Sequence, residues 1–161
     1  MSITSVHTDE DDLTVTVIAD FEAPVERVWE LWSDPRKLER WWGPPGYPAT
    51  FESHELSAGG EVTYFMTGPD GDRHRGAWRV TAVDPPNSLE FADVFVDADG
   101  EPVEAMPVSR VGVRLTAHER GTRMELSSKF DSREALENWV RTGTREGLRR
   151  AIAQMDILLD P

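Results

Sequence analysis

Prolines and glycines divide residues 24–46, a segment that holds four of the six tryptophans of the chain. Pro24 suits the first turn of a helix, because the N–H that it lacks would have no partner there. Pro35 suits the start of a second helix, and Gly43-Pro44-Pro45-Gly46 ends it. The segment therefore predicts two short helices, which carry more aromatic surface than they can bury against each other.

Trp41 and Trp42 are adjacent in this segment. Neighbouring residues of a helix point about 100° apart, so we do not expect both indoles to enter the same core. The pair favours a concave partner surface, with the indoles as walls of a cavity. The alternative is that the tryptophans are ordinary core residues, as most buried aromatic residues are.

The composition indicates one globular domain. A chain of 161 residues is long enough for a single core, and we place the domain at residues 13–161 after a polar, flexible lead-in over residues 1–12. No apolar run approaches the ~20 residues of a membrane helix. The N-terminus lacks the pattern of an export signal, so we expect a cytoplasmic protein.

The chain is strongly acidic and contains no cysteine, with a formal charge of −13. This charge repels phosphate backbones and anionic lipid surfaces, so nucleic acid is not an expected partner. Disulfides and thiolate metal sites are excluded. The four histidines are scattered without metal-ligand spacing. We therefore expect no metal and no cofactor.

Alternating apolar residues predict strands along most of the chain. Residues 13–21 form the first, and six more follow the helix pair between Thr50 and Phe130. A helix of roughly 40 Å follows, capped by Asp131 or Ser132 and extending to Leu159. These elements indicate an α+β fold of the helix-grip type. A curved antiparallel sheet of about seven strands would wrap the long C-terminal helix, with two short helices after the first strand.

The chain also resembles a known family. The order of its elements is similar to the START-like (SRPBCC) superfamily, and its motifs resemble the branch named after activators of the heat-shock-protein-90 ATPase. The similar residues are Ala23-Pro24-Val25-Glu26-Arg27-Val28-Trp29, Ser33-Asp34-Pro35, Trp41-Trp42-Gly43-Pro44, Gly59-Gly60, Pro85-Pro86 before Leu89-Glu90-Phe91, and the C-terminal Gly147, Ile152, Met155 and Leu159. Leu148 stands where the family pattern has tryptophan. The resemblance implies the helix-grip fold and a hydrophobic cavity, and it implies no single activity.

Aromatic residues supply the candidate walls of that cavity. The predicted ligand-binding residues are Trp32, Trp41, Trp42, Tyr64, Trp78, Phe91, Phe95, Trp139 and Thr142. The polar candidates to face the same space are His54, Asp93, Ser128, Thr142 and Glu146, of which His54, Asp93 and Glu146 are the acid–base candidates. A buried carboxylate would have a raised pKa and could act as an acid or a base.

Three functions are compatible with these features. The first is binding of a small hydrophobic or aromatic molecule, including a lipid, by a monomer or homodimer. The second is an enzyme resembling the polyketide cyclases and aromatases, although no catalytic motif is present. The third, implied only by the family resemblance, is regulation of a chaperone ATPase. We rank them in that order: the sequence leaves enzymatic activity undecided, and the lack of a catalytic motif favours a binding protein.

Overall fold

The computed structural model describes residues 3–103, 108–141 and 144–159. The strands in this part of the chain are β1 (Ile3–Asp9), β2 (Thr14–Phe21), β3 (Ala49–His54), β4 (Glu61–Thr67), β5 (Arg73–Asp84), β6 (Ser88–Val96), β7 (Ser109–His118) and β8 (Gly121–Phe130). The helices are α1 (Val25–Ser33), α2 (Pro35–Leu38), α3 (Arg133–Arg141) and α4 (Thr144–Leu159). No helix within these ranges is long and apolar enough to cross a membrane.

All eight strands form one antiparallel sheet in the order β1-β2-β8-β7-β6-β5-β4-β3. The sheet is curved and unclosed, and helices cover its concave face. This arrangement confirms the predicted α+β helix-grip fold, and the six strands after the helix pair are also confirmed. The sheet has one strand more than the predicted seven.

The extra strand is β1, which lies where we expected a flexible lead-in over residues 1–12. It pairs with β2 from Ile3 to Asp9, with Thr8 opposite Val15. Val6 packs against the core, while most of the other side chains of β1 are exposed. A strand with so little apolar surface has a weak sequence pattern, and it is stabilised mainly by its hydrogen bonds to β2.

Both helices begin where predicted, but α2 ends at Leu38, before the predicted stop at Gly43-Pro44-Pro45-Gly46. Asp34 ends α1, and its carboxylate accepts a hydrogen bond from the Arg36 N–H at 2.9 Å, which caps α2. The helix α2 is one turn long, so Trp41 and Trp42 lie beyond it. Two carbonyl groups at the end of α1 accept bonds from outside the helix: the Trp41 indole donates to Leu31 O at 2.8 Å, and His54 Nε2 lies 3.1 Å from Trp32 O.

The C-terminal region consists of α3 and α4 in the described residues, and Thr142 and Gly143 lie outside them. Ser132 caps α3 as predicted, because its Oγ accepts a hydrogen bond from the Ala135 N–H at 3.1 Å. The Gln154 side chain of α4 donates to Trp41 O at 3.1 Å and to Gly43 O at 2.8 Å. These bonds fix the tryptophan segment against α4.

Candidate ligand site

The aromatic residues of the concave face pack around Trp32. Its ring centroid lies 4.7 Å from that of Trp41 and 6.1 Å from that of Trp42. Trp78 is 6.0 Å away and stacks on Phe91 at 4.1 Å. Trp41 and Trp42 therefore enter the same cluster, contrary to our expectation, because the chain leaves the regular helix before them.

The innermost rings of this cluster have almost no exposed surface. Trp32, Trp41 and Trp78 are 0% exposed, and Phe91 is 2% exposed. In this structure they pack as core residues and reach no solvent-filled space. Trp42 is partly exposed, so it is the tryptophan of this cluster that a ligand could touch directly.

A polar pair lies beside these rings. The Tyr64 hydroxyl donates a hydrogen bond to Asp93 Oδ1 at 3.1 Å. Asp93 follows Phe91 on the concave face of β6, and its neighbours across the sheet are Trp78 on β5 and Ser109 on β7. The second carboxylate oxygen, Oδ2, accepts no hydrogen bond from the described residues.

Gly76 lets the Tyr64 side chain reach across β5 to Asp93. Gly76 is directly opposite Tyr64 in the sheet, and its other neighbour is Phe95. A Cβ on Gly76 would lie 2.5 Å from the Tyr64 hydroxyl oxygen. The absent side chain is therefore what makes room for the phenol.

Three indole N–H groups of the aromatic cluster have no hydrogen-bond partner among the described residues. Within the described part of the chain, Nε1 of Trp32, Trp42 and Trp78 is buried and unpaired. The N–H groups of Trp42 and Trp78 are near enough to the Tyr64 oxygen to lower the pKa of that phenol. Neither contact meets the distance and angle limits of a hydrogen bond, so both N–H groups remain without a full hydrogen bond among the described residues.

Burial dominates the electrostatics of this pair. Loss of hydration raises the pKa of Asp93 to about 7, and the Tyr64 hydrogen bond offsets part of that rise. Burial also raises the pKa of Tyr64 well above its ordinary value, and the Asp93 charge adds to this effect. Residue Asp93 as a whole is of intermediate exposure, although loss of hydration dominates at its carboxyl group.

Partly exposed apolar residues border the pair near the C-terminal end of β6. Phe95 lies two residues beyond Asp93 on the same face and is 37% exposed. Met66 follows Tyr64 on the concave face of β4 and is partly exposed. We define the candidate site as Trp42, Tyr64, Asp93 and Phe95, with Gly76 beneath them.

The remaining predicted residues lie elsewhere. His54 is occupied with the Trp32 carbonyl, and Glu146 is exposed on α4. Trp139 packs with Phe130 in a separate apolar cluster, with the ring centroids 5.5 Å apart. Ser128 is buried on the concave face, two strands away from Asp93, and Thr142 lies outside the described residues.

Sequence reasoning placed Asp93 and Tyr64 among the candidates but missed that they are partners, and it missed Gly76 entirely. The available signal was a glycine in the apolar register of β5, two residues before Trp78. A strand glycine on an inward face indicates close approach by another group. The donor role of the indoles also escaped notice, since indoles usually signal apolar packing.

Other depressions in the described structure have a different character. A groove of about 340 Å³ lies between β1 and α3, bordered by Thr8, Glu10, Leu136 and Val140. It is remote in sequence from the Tyr64–Asp93 pair and contains none of the residues of the candidate site. Among the described residues, no three His, Asp or Glu side chains gather closely enough to hold a metal ion.

A sheet that grips C-terminal helices and carries aromatic residues on its concave face defines a START-like domain. Comparison with protein families agrees: the model of the Activator of Hsp90 ATPase homolog 1-like proteins matches residues 22–160. The chain belongs to this family. No protein of curated function matches it.

Solved structures show the same fold over nearly the whole chain. The crystal structure of protein Ms6760 from Mycobacterium smegmatis is 47% identical, with a TM-score of 0.91, and the match covers 98% of this chain and 97% of that one. An Arthrobacter aurescens protein solved by NMR is 46% identical, with a TM-score of 0.94 and coverage of 98% and 92%. A Silicibacter pomeroyi family member at 23% identity shares the fold, with a TM-score of 0.72 and coverage of 91% and 96%.

Proposed function

We propose that this domain binds a small, mostly apolar molecule at the open end of its concave face. The site residues are Trp42, Tyr64, Asp93 and Phe95. The observation that carries the proposal is the Tyr64–Asp93 pair, which lies beside the rings of Trp42 and Trp78, whose buried N–H groups lack partners among the described residues. A folding core gains nothing from unpaired donors, each of which costs about 1–3 kcal/mol. A ligand that satisfies them would recover that free energy on binding.

The surroundings of the pair suit a ligand with an aromatic or aliphatic body. Phe95 is an exposed apolar side chain beside the carboxyl group, and Trp42 offers the accessible part of an indole. Binding sites of this kind combine apolar walls with a few polar groups that fix orientation. Wall residues without exposed surface, such as Trp32 and Trp78, would support the site from behind.

Native mass spectrometry of freshly purified protein, followed by titration of tryptophan fluorescence, tests the proposal. The titrants are fatty acids, flavonoids and polyketide-like aromatic compounds. We expect a co-purified molecule or saturable micromolar quenching by one class. Phe95→Ser should weaken that binding at least fivefold, an effect of the size expected when apolar contact is removed.

Ile157→Ser is the matched control for Phe95→Ser. Ile157 is 73% exposed on α4, so the substitution removes an exposed apolar side chain that is not part of the site. Equal binding by both variants would place the ligand elsewhere. Absence of any bound species or response would contradict the proposal and favour regulation of a partner protein.

An acid–base enzyme resembling the polyketide cyclases is the second candidate function. The observation in its favour is the partly buried Asp93 carboxyl group, whose pKa of about 7 suits proton transfer near neutral pH. It would use the same site as the binding function. Turnover of a polyketide-like compound that is lost in Asp93→Asn, with binding retained, would establish it.

A further inference from the structure

We propose that the protein forms a weak, symmetric homodimer through strand β1. In this dimer β1 of one copy pairs antiparallel with β1 of a second copy, which joins the two eight-stranded sheets edge to edge. The inference does not depend on the ligand site. It rests on the two edges of the sheet, which differ in how far their backbone hydrogen-bonding groups are covered.

The edge formed by β1 is free. In the sheet order β1 has a single neighbour, β2. Among the described residues, no backbone hydrogen bond joins residues 3–9 to any element other than β2. Thr8 borders the groove of about 340 Å³ that separates β1 from α3, so the helix does not cover this part of the strand. A strand with one neighbour points about half of its N–H and C=O groups outward, where a further strand can bind them.

The opposite edge, formed by β3, is partly closed by side chains of the helix pair. The Glu39 carboxylate accepts a hydrogen bond from the Phe51 N–H at 2.7 Å, and the Arg36 guanidinium donates to Phe51 O at 3.0 Å. The strand also has a bulge between Phe51 and Ser53. Covering an edge and distorting it with a bulge are two ways in which proteins prevent strand addition. Pairing between copies is therefore expected at β1.

The sequence of β1 lacks the residues that usually protect an edge strand. Residues 3–9 contain neither lysine nor proline, and the single carboxylate, Asp9, stands at the end of the strand. The bulge of β1 lies at its start, between Ile3 and Ser5, so the rest of the strand pairs regularly with β2. The side chains of Ser5 and His7 are exposed. Nothing in the sequence of β1 thus opposes a second strand at its centre.

The order of residues in β1 also suits pairing of the strand with itself. A two-fold axis at Val6, the central residue, would place Ser5 of each copy opposite His7 of the other. The two Asp9 residues would lie at opposite ends of the interface, about 20 Å apart along the strands. This distance is more than twice the Debye length of about 8 Å at physiological salt, so their repulsion is largely screened. A contact of β1 with itself closes at two copies and does not grow into a filament.

The expected dimer is weak for two reasons. Each copy carries a formal charge of −13, so the copies repel one another. A strand of seven residues also forms a small interface, below the roughly 1,200 Å² that stable complexes bury. We therefore expect a dissociation constant above about 10 μM, which decreases when added salt screens the charge.

Sedimentation equilibrium of the full-length protein, from about 10 μM to about 1 mM in about 0.5 M salt, tests the proposal. We expect the average mass to rise from that of one copy towards that of two. Amide hydrogen exchange in β1 should slow over the same concentration range. A mass of one copy throughout, or exchange in β1 that does not depend on concentration, would overturn the inference.

A double variant, Ser5→Lys with His7→Lys, locates the interface. Each new lysine would lie opposite a lysine of the second copy, and like charges in that position disfavour pairing. We expect the dissociation constant to rise at least about fivefold. This rise should occur although the two lysines reduce the net negative charge of each copy.

The matched control is Thr50→Lys with Thr81→Lys, which adds the same charge at exposed positions of β3 and β5. It should not weaken association. Equal dissociation constants for the two double variants would place the interface away from β1 and overturn the inference. If the β1 variant does not fold, the concentration dependence of hydrogen exchange in the unaltered protein still decides the question.

Discussion

The phenol of Tyr64 lies over the backbone of Gly76, so close that a Cβ on Gly76 would come within 2.5 Å of both Cζ and the hydroxyl oxygen. The ring cannot easily move away, because it stacks on Phe51 at 5.1 Å and packs edge-on against Trp42 at 5.9 Å. The Tyr64–Asp93 hydrogen bond therefore depends on glycine at position 76, because a side chain there would displace the phenol.

Gly76→Ala should therefore destabilise the fold by about 1–3 kcal/mol, as overpacking of a filled core does. It should also weaken the Tyr64–Asp93 hydrogen bond. Because that bond lowers the pKa of Asp93, weakening it should raise the pKa above about 7. Urea unfolding and an NMR titration of the carboxyl carbon measure the two effects.

Gly112→Ala is the control for this substitution. Gly112 is also a strand glycine, but a Cβ there would meet only the Ser127 Oγ, at 3.2 Å. We expect a change in unfolding free energy of less than ~1 kcal/mol. Equal losses in the two variants would mean that Tyr64 adapts without strain.

Asp93 makes the stability of the protein depend on pH. Its pKa is about 7 in the folded protein and near the ordinary 3.8 in the unfolded chain. Between these two pH values the folded protein keeps the Asp93 proton, whereas the unfolded chain has lost it. The contribution of Asp93 to stability therefore falls as pH rises from about 4 to about 7.

Asp93→Asn should remove this penalty. The free energy of unfolding of the variant minus that of the unaltered protein should increase by roughly 2–4 kcal/mol from about pH 4.5 to about pH 8, because the pKa of Asp93 is shifted by about three units. Urea unfolding at the two pH values measures the gain. The difference between the proteins matters more than either curve, because the other acidic residues titrate in both. A difference that does not change with pH would show that Asp93 is hydrated in the folded protein.

The starts of the two helices in the tryptophan segment could be predicted because proline and Asp34 act locally, whereas the end of α2 at Leu38 could not, since no proline or glycine stands there. Pro35 at the start of α2 and the Asp34 cap depend on neighbouring residues alone. The strands of the sheet could be predicted for a similar reason, since alternation follows from a sheet with one buried face. The β-bulge after Val80 could not, and it leaves Ala82 exposed where simple alternation puts it inward.

The site itself was only partly predictable. Asp93 was identifiable as a carboxyl group in an apolar register, because that conflict lies within one strand. Its bond to Tyr64 joins residues on β6 and β4 across Gly76, and only the sheet register brings them together. Whether an indole packs in the core or faces a ligand depends on how far it lies below the protein surface, and spacing along a helix does not specify that distance.

Gln154 should be important for the position of the tryptophan segment. Its side-chain amide donates to the carbonyl groups of Trp41 and Gly43, at 3.1 and 2.8 Å. Gln154→Ala leaves both partly buried carbonyls without that donor, and we expect a loss of about 1–3 kcal/mol in the free energy of unfolding.

Hydrogen exchange should also accelerate in Gln154→Ala at the Tyr47 amide, which is bonded to Pro44 O. Arg150→Ala, an exposed change one turn earlier on α4, should alter neither quantity. Unchanged exchange at Tyr47 in Gln154→Ala would show that the segment is fixed by its apolar contacts.

Trp41 and Trp42 should differ sharply when each is replaced by alanine, although they are adjacent. Trp41 is 0% exposed and its indole donates to Leu31 O at 2.8 Å, so Trp41→Ala removes a core ring and unpairs a helix carbonyl. We expect a loss of about 3–5 kcal/mol in unfolding free energy.

Trp42 is partly exposed and its N–H has no partner among the described residues, so Trp42→Ala should reduce stability less than Trp41→Ala. It should instead weaken binding of the compound that quenches tryptophan fluorescence by at least fivefold, since it removes an apolar wall of the candidate site. Urea unfolding and calorimetry on the same preparations separate the two effects. Trp42→Phe, which keeps an aromatic wall, should bind the same compound almost as well as the unaltered protein does. If Trp42→Ala costs as much stability as Trp41→Ala and leaves binding unchanged, then Trp42 is a core residue and takes no part in the site.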